Sequence, residues 1–158
     1  MSGLNTKFTT KYKLYQTVYY IHDNNVEFSQ VDSISIKKTG DSEVITYVLV
    51  SGLELEEQKV YPNEESLKTY LMGMNVTIEG VGHEFKSRYS VDSYVYMMVD
   101  DYPSKGNVQE IDITITKGDE PEIDINYICT TEKSKKTYTK SQVECADSLE
   151  KLVNKLFS

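Results

Sequence analysis

The sequence predicts a mainly β chain built as two tandem small barrels, residues 1–73 and 74–158, each followed by a short C-terminal helix. Three observations carry this expectation. The apolar skeleton of Phe8 to Leu71 is written again between Phe85 and Phe157. Such self-similarity marks one structural unit used twice. Within each copy, apolar and polar residues alternate with the period of two of half-buried strands. Clusters of Asp, Asn, Gly and Pro punctuate those runs where a chain turns.

In the first copy, Tyr12 to Ile21 mixes aromatic and β-branched residues as a strand does, and Asp23-Asn24-Asn25 turns it. From Phe28 onward Val31, Ile34 and Ile36 interleave with Ser33, Ser35 and Lys37; the three-residue step from Val31 to Ile34 predicts a bulge. Thr39-Gly40-Asp41-Ser42 closes a hairpin and Val44 to Val50 returns. A short strand at Gln58 to Tyr61 then leads through Pro62 to a helix over Glu64 to Leu71. Asn63 is its N-cap, and the acids after it suit the positive end of the helix. Two turns cannot stand alone, so Leu67 and Leu71 must dock on the sheet.

Met74 to Ile78 alternates and reads as a further strand, flanked by Gly73 and Gly80-Val81-Gly82. In the second copy Val91 to Val99 repeats the first strand and Asp100 to Asn107 reads as a turn-rich loop. Val108 to Thr116 repeats the second strand, and Ile123, Ile125, Tyr127 and Cys129 alternate on the return. Thr137 to Val143 is the fourth strand, which places Val143 opposite Val60 and Ser148-Leu149 opposite Ser66-Leu67. Cys145, Leu149, Leu152, Val153 and Leu156 form an apolar stripe on a helix longer than its counterpart.

Two hairpins, a short strand and a short helix are the order of a small SH3-like barrel, so each copy reads as one SH3-like module. The spacing over Lys11–Tyr20, Val31–Ile36 and Val60–Leu71, with the strand-to-helix step Val60-Tyr61-Pro62-Asn63-Glu64-Glu65, resembles small bacteriophage accessory proteins that carry such barrels singly or in tandem. The Gly-Asp usual in that family before the first Val-Tyr is Gln16-Thr17 here and Ser93-Tyr94 in the second copy. The resemblance implies a non-enzymatic binding or virion component.

Charge narrows the partners. The formal net charge is -8, from 17 basic and 25 acidic residues. Both copies are acidic, and neither clusters the lysines and arginines that displace phosphate counterions, so nucleic acid is not expected as a ligand. No apolar run approaches membrane-spanning length and Met1 to Asn5 has no apolar core, so neither a membrane nor a secretory signal peptide is expected. The virion or the host cytoplasm is the expected location. Cys129 and Cys145 lie in the second copy alone and are expected as two reduced, partly buried thiols rather than a staple absent from the first.

No catalytic, metal or cofactor site is expected. His22 and His83 have no second ligand at metal spacing. Asp100-Asp101 and Asp119, Glu120, Glu122 and Asp124 lack the spacing of a calcium loop and read as solvated edges. No nucleophile is accompanied by a base and an orienting acid, and Lys133, Lys135, Lys136 and Lys140 read as a charged hairpin edge that discourages strand pairing.

The 13 tyrosines and absent tryptophan are the more telling excess. Tyrosines kept in both copies, such as Tyr12 and Tyr89 or Tyr47 and Tyr127, are explained by a shared fold. Those without a counterpart are not: Tyr15 aligns with Asp92, Tyr20 with Met97, Tyr61 with Glu144 and Tyr102 with Asn25. Tyrosine suits interfaces because it buries a large ring and keeps its hydroxyl wet. Tyr15, Tyr20, Tyr61 and Tyr102 are therefore the candidates for partner contact. The expected function is protein–protein interaction or a structural role in a multi-subunit assembly. The alternative is an acidic inhibitor of a host defence enzyme that imitates nucleic acid.

Overall fold

The computed structural model describes residues 6–78, 82–132 and 136–157. In the first copy β1 (Thr6–Thr9), β2 (Thr17–His22), β3 (Asn25–Lys38), β4 (Glu43–Leu49) and β5 (Glu54–Glu56) precede a 3-10 turn (Glu57–Lys59) and α1 (Glu64–Leu71). The second copy repeats this order with β6 (Glu84–Ser87), β7 (Tyr94–Val99), β8 (Tyr102–Thr116), β9 (Glu122–Thr131), β10 (Thr137–Ser141), a 3-10 turn (Gln142–Glu144) and α2 (Leu149–Leu156). The chain is mainly β, as expected. It does not divide into two closed barrels. One open eight-stranded sheet runs β10-β9-β8-β3-β4-β5 through both copies, with β2 on β3 and β7 on β8, while β1 and β6 make a separate two-stranded sheet.

The seam between copies is built from matching residues. Across β3 and β8 Ile36 faces Ile113, its own counterpart; Ile34 faces Ile115 and Lys38 faces Ile111, one pair being the other with the copies exchanged. Across β1 and β6 Phe8 faces Phe85, with stacked rings 5.5 Å apart. The copies are thus related by a local two-fold axis, like the subunits of an isologous dimer. Phe8, Ile36 and Ile113 are fully or almost fully buried. Each aliphatic or aromatic side chain so buried contributes roughly 1.5–3 kcal/mol, which explains why the seam is apolar at its axis.

Local sequence dictates the rest of each copy. Asp23-Asn24 and Asp100-Asp101 all have positive φ, between 50° and 64°. That is the two-residue turn that matches strand twist, and Asn and Asp tolerate it better than other side chains. β8 therefore starts at Tyr102, where the sequence reads as a loop. The bulge expected after Val31 is present, and its twin lies after Val108.

Buried tyrosines tie each half together. Tyr12 and Tyr47 meet edge to face at 5.3 Å, and Tyr89 and Tyr127 do so at 5.5 Å. The backbone N–H of Tyr12 donates to Tyr47 Oη and that of Tyr89 to Tyr127 Oη, each at 3.2 Å. Tyr47 Oη in turn donates to Glu57 Oε2 and Tyr127 Oη to Gln142 Oε1. Burial first, then the Glu57 carboxylate, raises the Tyr47 hydroxyl far above its ordinary range. It stays a neutral donor.

This pairing of Glu57 with Gln142 corrects the alignment of the last third. Val60 is matched by Cys145, both fully buried, while Val143 is 78% exposed. Tyr61 bridges Tyr19 as Ala146 bridges Tyr96, so Tyr61 corresponds to Ala146 and not to Glu144. The helix caps agree: Asn63 accepts from Ser66 N and Ser148 from Lys151 N. The segment expected as a strand at Gln58 to Tyr61 is a 3-10 turn followed by a single bridge. The second helix is no longer than the first, eight residues each, and of its expected stripe only Leu152 is buried within the helix. Met74 to Ile78 forms no strand, and Gly80 and Val81 lie outside the described residues.

The crossing into the second copy is held by hydrogen bonds. Thr10 N donates to His83 O, His83 N to Thr10 Oγ1, and Gly82 N to Thr10 O, all at 2.8–2.9 Å. A Cβ on Gly82 would collide with the Thr10 carbonyl, so glycine is required there. Leu14 N donates to His83 Nε2 at 3.1 Å, which a protonated imidazole could not accept. Burial, then Lys13, lowers the His83 pKa. The folded chain therefore binds fewer protons, so this stability is present above the ordinary histidine range and lost as pH falls through it. In thermal melts between about pH 8 and pH 5, wild type is expected to lose more of its Tm than His83→Gln. Equal losses would contradict the assignment.

Candidate functional site

The four candidate tyrosines do not form one site. Tyr20 is 1% exposed, its hydroxyl 3.4 Å from Ser51 Oγ inside the first half, so it offers no ring to a partner. Its counterpart Met97 is equally buried, and the difference between them is a core substitution. Tyr102 is 66% exposed and opens β8 in the second half. Tyr15 is 53% exposed and sits at the seam, where Lys117 Nζ lies 4.6 Å from its ring centroid and pairs with Asp32 at 3.0 Å. Its φ of 71° is costly for a bulky side chain; Asp92 takes the same conformation in the other half at φ 67°. Tyr61 is 6% exposed but forms part of the wall of a groove.

That groove is the first copy's most distinctive surface. Register sets the hairpin beside it: Tyr19 pairs with Phe28 and Ile21 with Val26, so all four side chains leave one face of the β2–β3 hairpin, and of these Ile21 lines the groove. The other face sends Val18 and Tyr20 into the core. Tyr19 and Phe28 hold their rings 5.7 Å apart. Next to them Tyr61 runs beside β2 through the Tyr19 bridge, and α1 lies over it with Leu67 buried and Tyr70 5.3 Å from the Tyr61 ring. Ile21, Leu55, Tyr61, Leu67, Tyr70 and Leu71, with Gln58 and Lys59, line an open cavity of about 530 Å³. Phe28 is 68% exposed, Val26 55%, and Tyr70 and Leu71 54% each, which makes the rim apolar as well. Exposed apolar residues that adjoin in this way mark interaction sites, whereas scattered ones do not.

The second copy supplies the control. At the positions of Val26 and Phe28 it has Pro103 and Lys105, paired with Met98 and Tyr96. Ala146 replaces Tyr61 and Lys155 replaces Tyr70. Lys155 Nζ donates to the carbonyls of Val143 and Cys145 at 3.1 and 2.8 Å, placing a charged group where the first copy leaves an apolar opening. On the matching hairpin the second copy keeps a smaller cavity of about 260 Å³, lined by Tyr96, Pro103, Ser104, Lys105, Thr131, Glu132 and Leu149 and so charged where the first is apolar. Sequence reasoning named Tyr61 but passed over Ile21, Val26, Phe28 and Tyr70; the signal available was Phe28 against Lys105, an apolar residue where the repeat has a charge.

Groups suited to reaction chemistry are separate from the groove. Glu110 and Asp112 alternate with buried Ile111 and Ile113 along β8. Hydrogen bonding to Asp112, and then burial, raises the Glu110 pKa, and Asp112 Oδ1 is buried without a partner among the described residues. Their counterparts are Ser33 and Ser35. Among the described residues no three His, Cys, Asp or Glu side chains gather as a metal ion requires, and no helix is long and apolar enough to cross a membrane. Lys133 and Lys135 of the expected basic edge lie outside the described residues; Lys136 precedes β10, and Lys140 lies on it, an end strand of the sheet. Comparison of the chain with protein-family models, curated proteins and solved structures finds no match.

The thiols of Cys129 and Cys145 are unpaired with each other and fully buried, more so than expected. Burial pushes them up to about 12 and about 11, so almost no thiolate exists at neutral pH. Native protein at about pH 8 is expected to leave both unlabelled by a disulfide reagent over minutes, and denatured protein to release two equivalents. Rapid labelling of the native chain would contradict this burial.

Proposed function

We propose that the chain is a non-enzymatic interaction protein that engages another protein through the apolar face of its first half. The carrying observation is the asymmetry between the copies: Val26, Phe28, Tyr61 and Tyr70 stand where the second half has Pro103, Lys105, Ala146 and Lys155. A fold needs the positions its copies share; Val26, Phe28 and Tyr70, exposed beside the buried Tyr61, are apolar residues that the shared fold does not require. Interface cores favour aromatic side chains of this kind.

The role of a virion or accessory component, and the comparison of each half with an SH3-like module, belong to this proposal. They draw on the order of two hairpins, a short strand and a helix in each half, and on the resemblance to phage accessory proteins. The alternative, an acidic inhibitor that imitates nucleic acid, draws on the net charge of -8. It places the contact on carboxylates instead of on the aromatic face.

The test is the native complex in the cells that make the protein. Tagged wild type is expected to elute from size exclusion in a discrete assembly heavier than the chain. Phe28→Glu should release it as free chain, whereas Lys105→Glu at the matching position should not. Release by moderate salt alone, with Phe28→Glu still bound, would favour the nucleic-acid mimic. Free chain in every case would contradict both readings.

A further inference from the structure

We infer that Glu110 and Asp112 hold one proton between them, and that the β3–β8 seam is thereby a pH-sensitive joint, tighter with the proton held and looser once it leaves.

Strand geometry brings the two acids together. Ile111, Ile113 and Ile115 of β8 are buried, so Glu110, Asp112 and Thr114 leave the opposite face of the sheet. Residues two apart on one face of a strand lie only about 7 Å apart along it, which a glutamate side chain can span toward its neighbour. Asp112 Oδ1 is buried with no hydrogen-bond partner among the described residues. A buried acceptor left in that way is costly, and a proton on the next carboxyl turns it into the donor that Asp112 lacks. Hydrogen bonding to Asp112 first, and burial second, hold the Glu110 carboxyl above its ordinary range.

The groups around the pair do little to relieve it of its proton. On β3, Lys37 stands opposite Asp112, exposed, and its attraction is the weakest influence on Glu110; Lys38 leaves the other face with Ile111. On β9, Asn126 faces Asp112 and Ile128 faces Glu110, while Asp124, opposite Thr114, adds a further negative charge to the same face. The next strands outward present uncharged residues there, Val44 and Thr46 on β4 and Thr139 and Ser141 on β10. Asp41 lies in the exposed β3–β4 turn.

The first copy shows that the fold does not call for acids at these positions, since Ser33 and Ser35 occupy them. Loss of the proton leaves two like charges side by side on the strand that joins the copies through Ile34–Lys38. A carboxyl that holds its proton more tightly in the folded chain than in the unfolded one contributes stability that is full below the ordinary glutamate range and is lost as pH rises through the raised one. The sign is opposite to that of His83, whose contribution is lost as pH falls.

The test uses the full chain as wild type and as Glu110→Gln, which keeps a neutral side chain at every pH. In thermal melts between about pH 4 and pH 7.5, Glu110→Gln is expected to melt about 2–4 °C above wild type at the upper end and together with it at the lower. His83 is the same in both chains and cancels from the difference. Glu120→Gln, the same charge change in the exposed β8–β9 turn, should show no difference that varies with pH. The carbon-13 shift of the Glu110 side-chain carboxyl reads the proton directly: its midpoint in wild type should lie above about 4.3 and should move down in Asp112→Asn. A midpoint at the ordinary value, or one unmoved by Asp112→Asn, would overturn the shared proton. A melting difference equal at both ends of the pH range, or reproduced by Glu120→Gln, would overturn the joint.

Discussion

The antiparallel pairing of β3 with β8 is the constraint on which everything else depends. Each copy is small enough to bury only about 60% of its unfolded surface alone, and each would leave the end of β3 or β8 beyond its own hairpin partner, Ile34–Lys38 or Ile111–Ile115, unpaired on one side. Unpaired edges of that kind invite aggregation. Joining the two strands about Ile36 and Ile113 removes both edges in one step and makes the cores of the copies neighbours across a single sheet. The Phe8–Phe85 stack repeats the device on the second sheet, and the hydrogen bonds around Thr10 and His83 hold the chain as it passes between them.

Away from the seam, the symmetry is kept where it supports the fold and broken where it does not. The Tyr12–Tyr47 and Tyr89–Tyr127 pairs share ring angle and backbone hydrogen bond, and even their acceptors, Glu57 and Gln142, sit alike on the 3-10 turns. By contrast, the outer face of the first hairpin and the exposed side of α1 have diverged from their counterparts. Phe28 faces Tyr19 where Lys105 faces Tyr96. Divergence on a shared backbone makes a chemical difference readable without any other sequence to compare.

Much of the local structure was legible because it depends on neighbours in sequence. The turn at Asp23-Asn24, the bulge after Val31 and the Asn63 cap each follow from the side chains at those positions, and all three are present. The association of the copies was not legible, because alternation tells which face of a strand is buried and not which strand lies beside it. An expectation of two closed barrels treated β3 and β8 as strands within separate units. The misalignment at Val60 arose from matching valine to valine; a longer link between β9 and β10 displaces the true equivalent to Cys145. The cap residues Asn63 and Ser148 keep the right spacing and would have shown it. Of the four candidate tyrosines, Tyr20 is core because its strand alternates inward, and Tyr61 reaches the groove only through the bridge to Tyr19. Neither neighbour is visible in one dimension.

If the seam makes the two copies one folding unit, they must open together. Native-state amide exchange measures this directly, by comparing the amides of Ile34–Lys38 with those of the outer strands β4 and β9 in wild type and in Ile113→Ala. The account predicts that the slowest amides of both copies exchange with one common free energy, and that Ile113→Ala lowers it in both by about 2–5 kcal/mol. Slow amides of the first copy unchanged by Ile113→Ala, with those of the second alone destabilised, would contradict it.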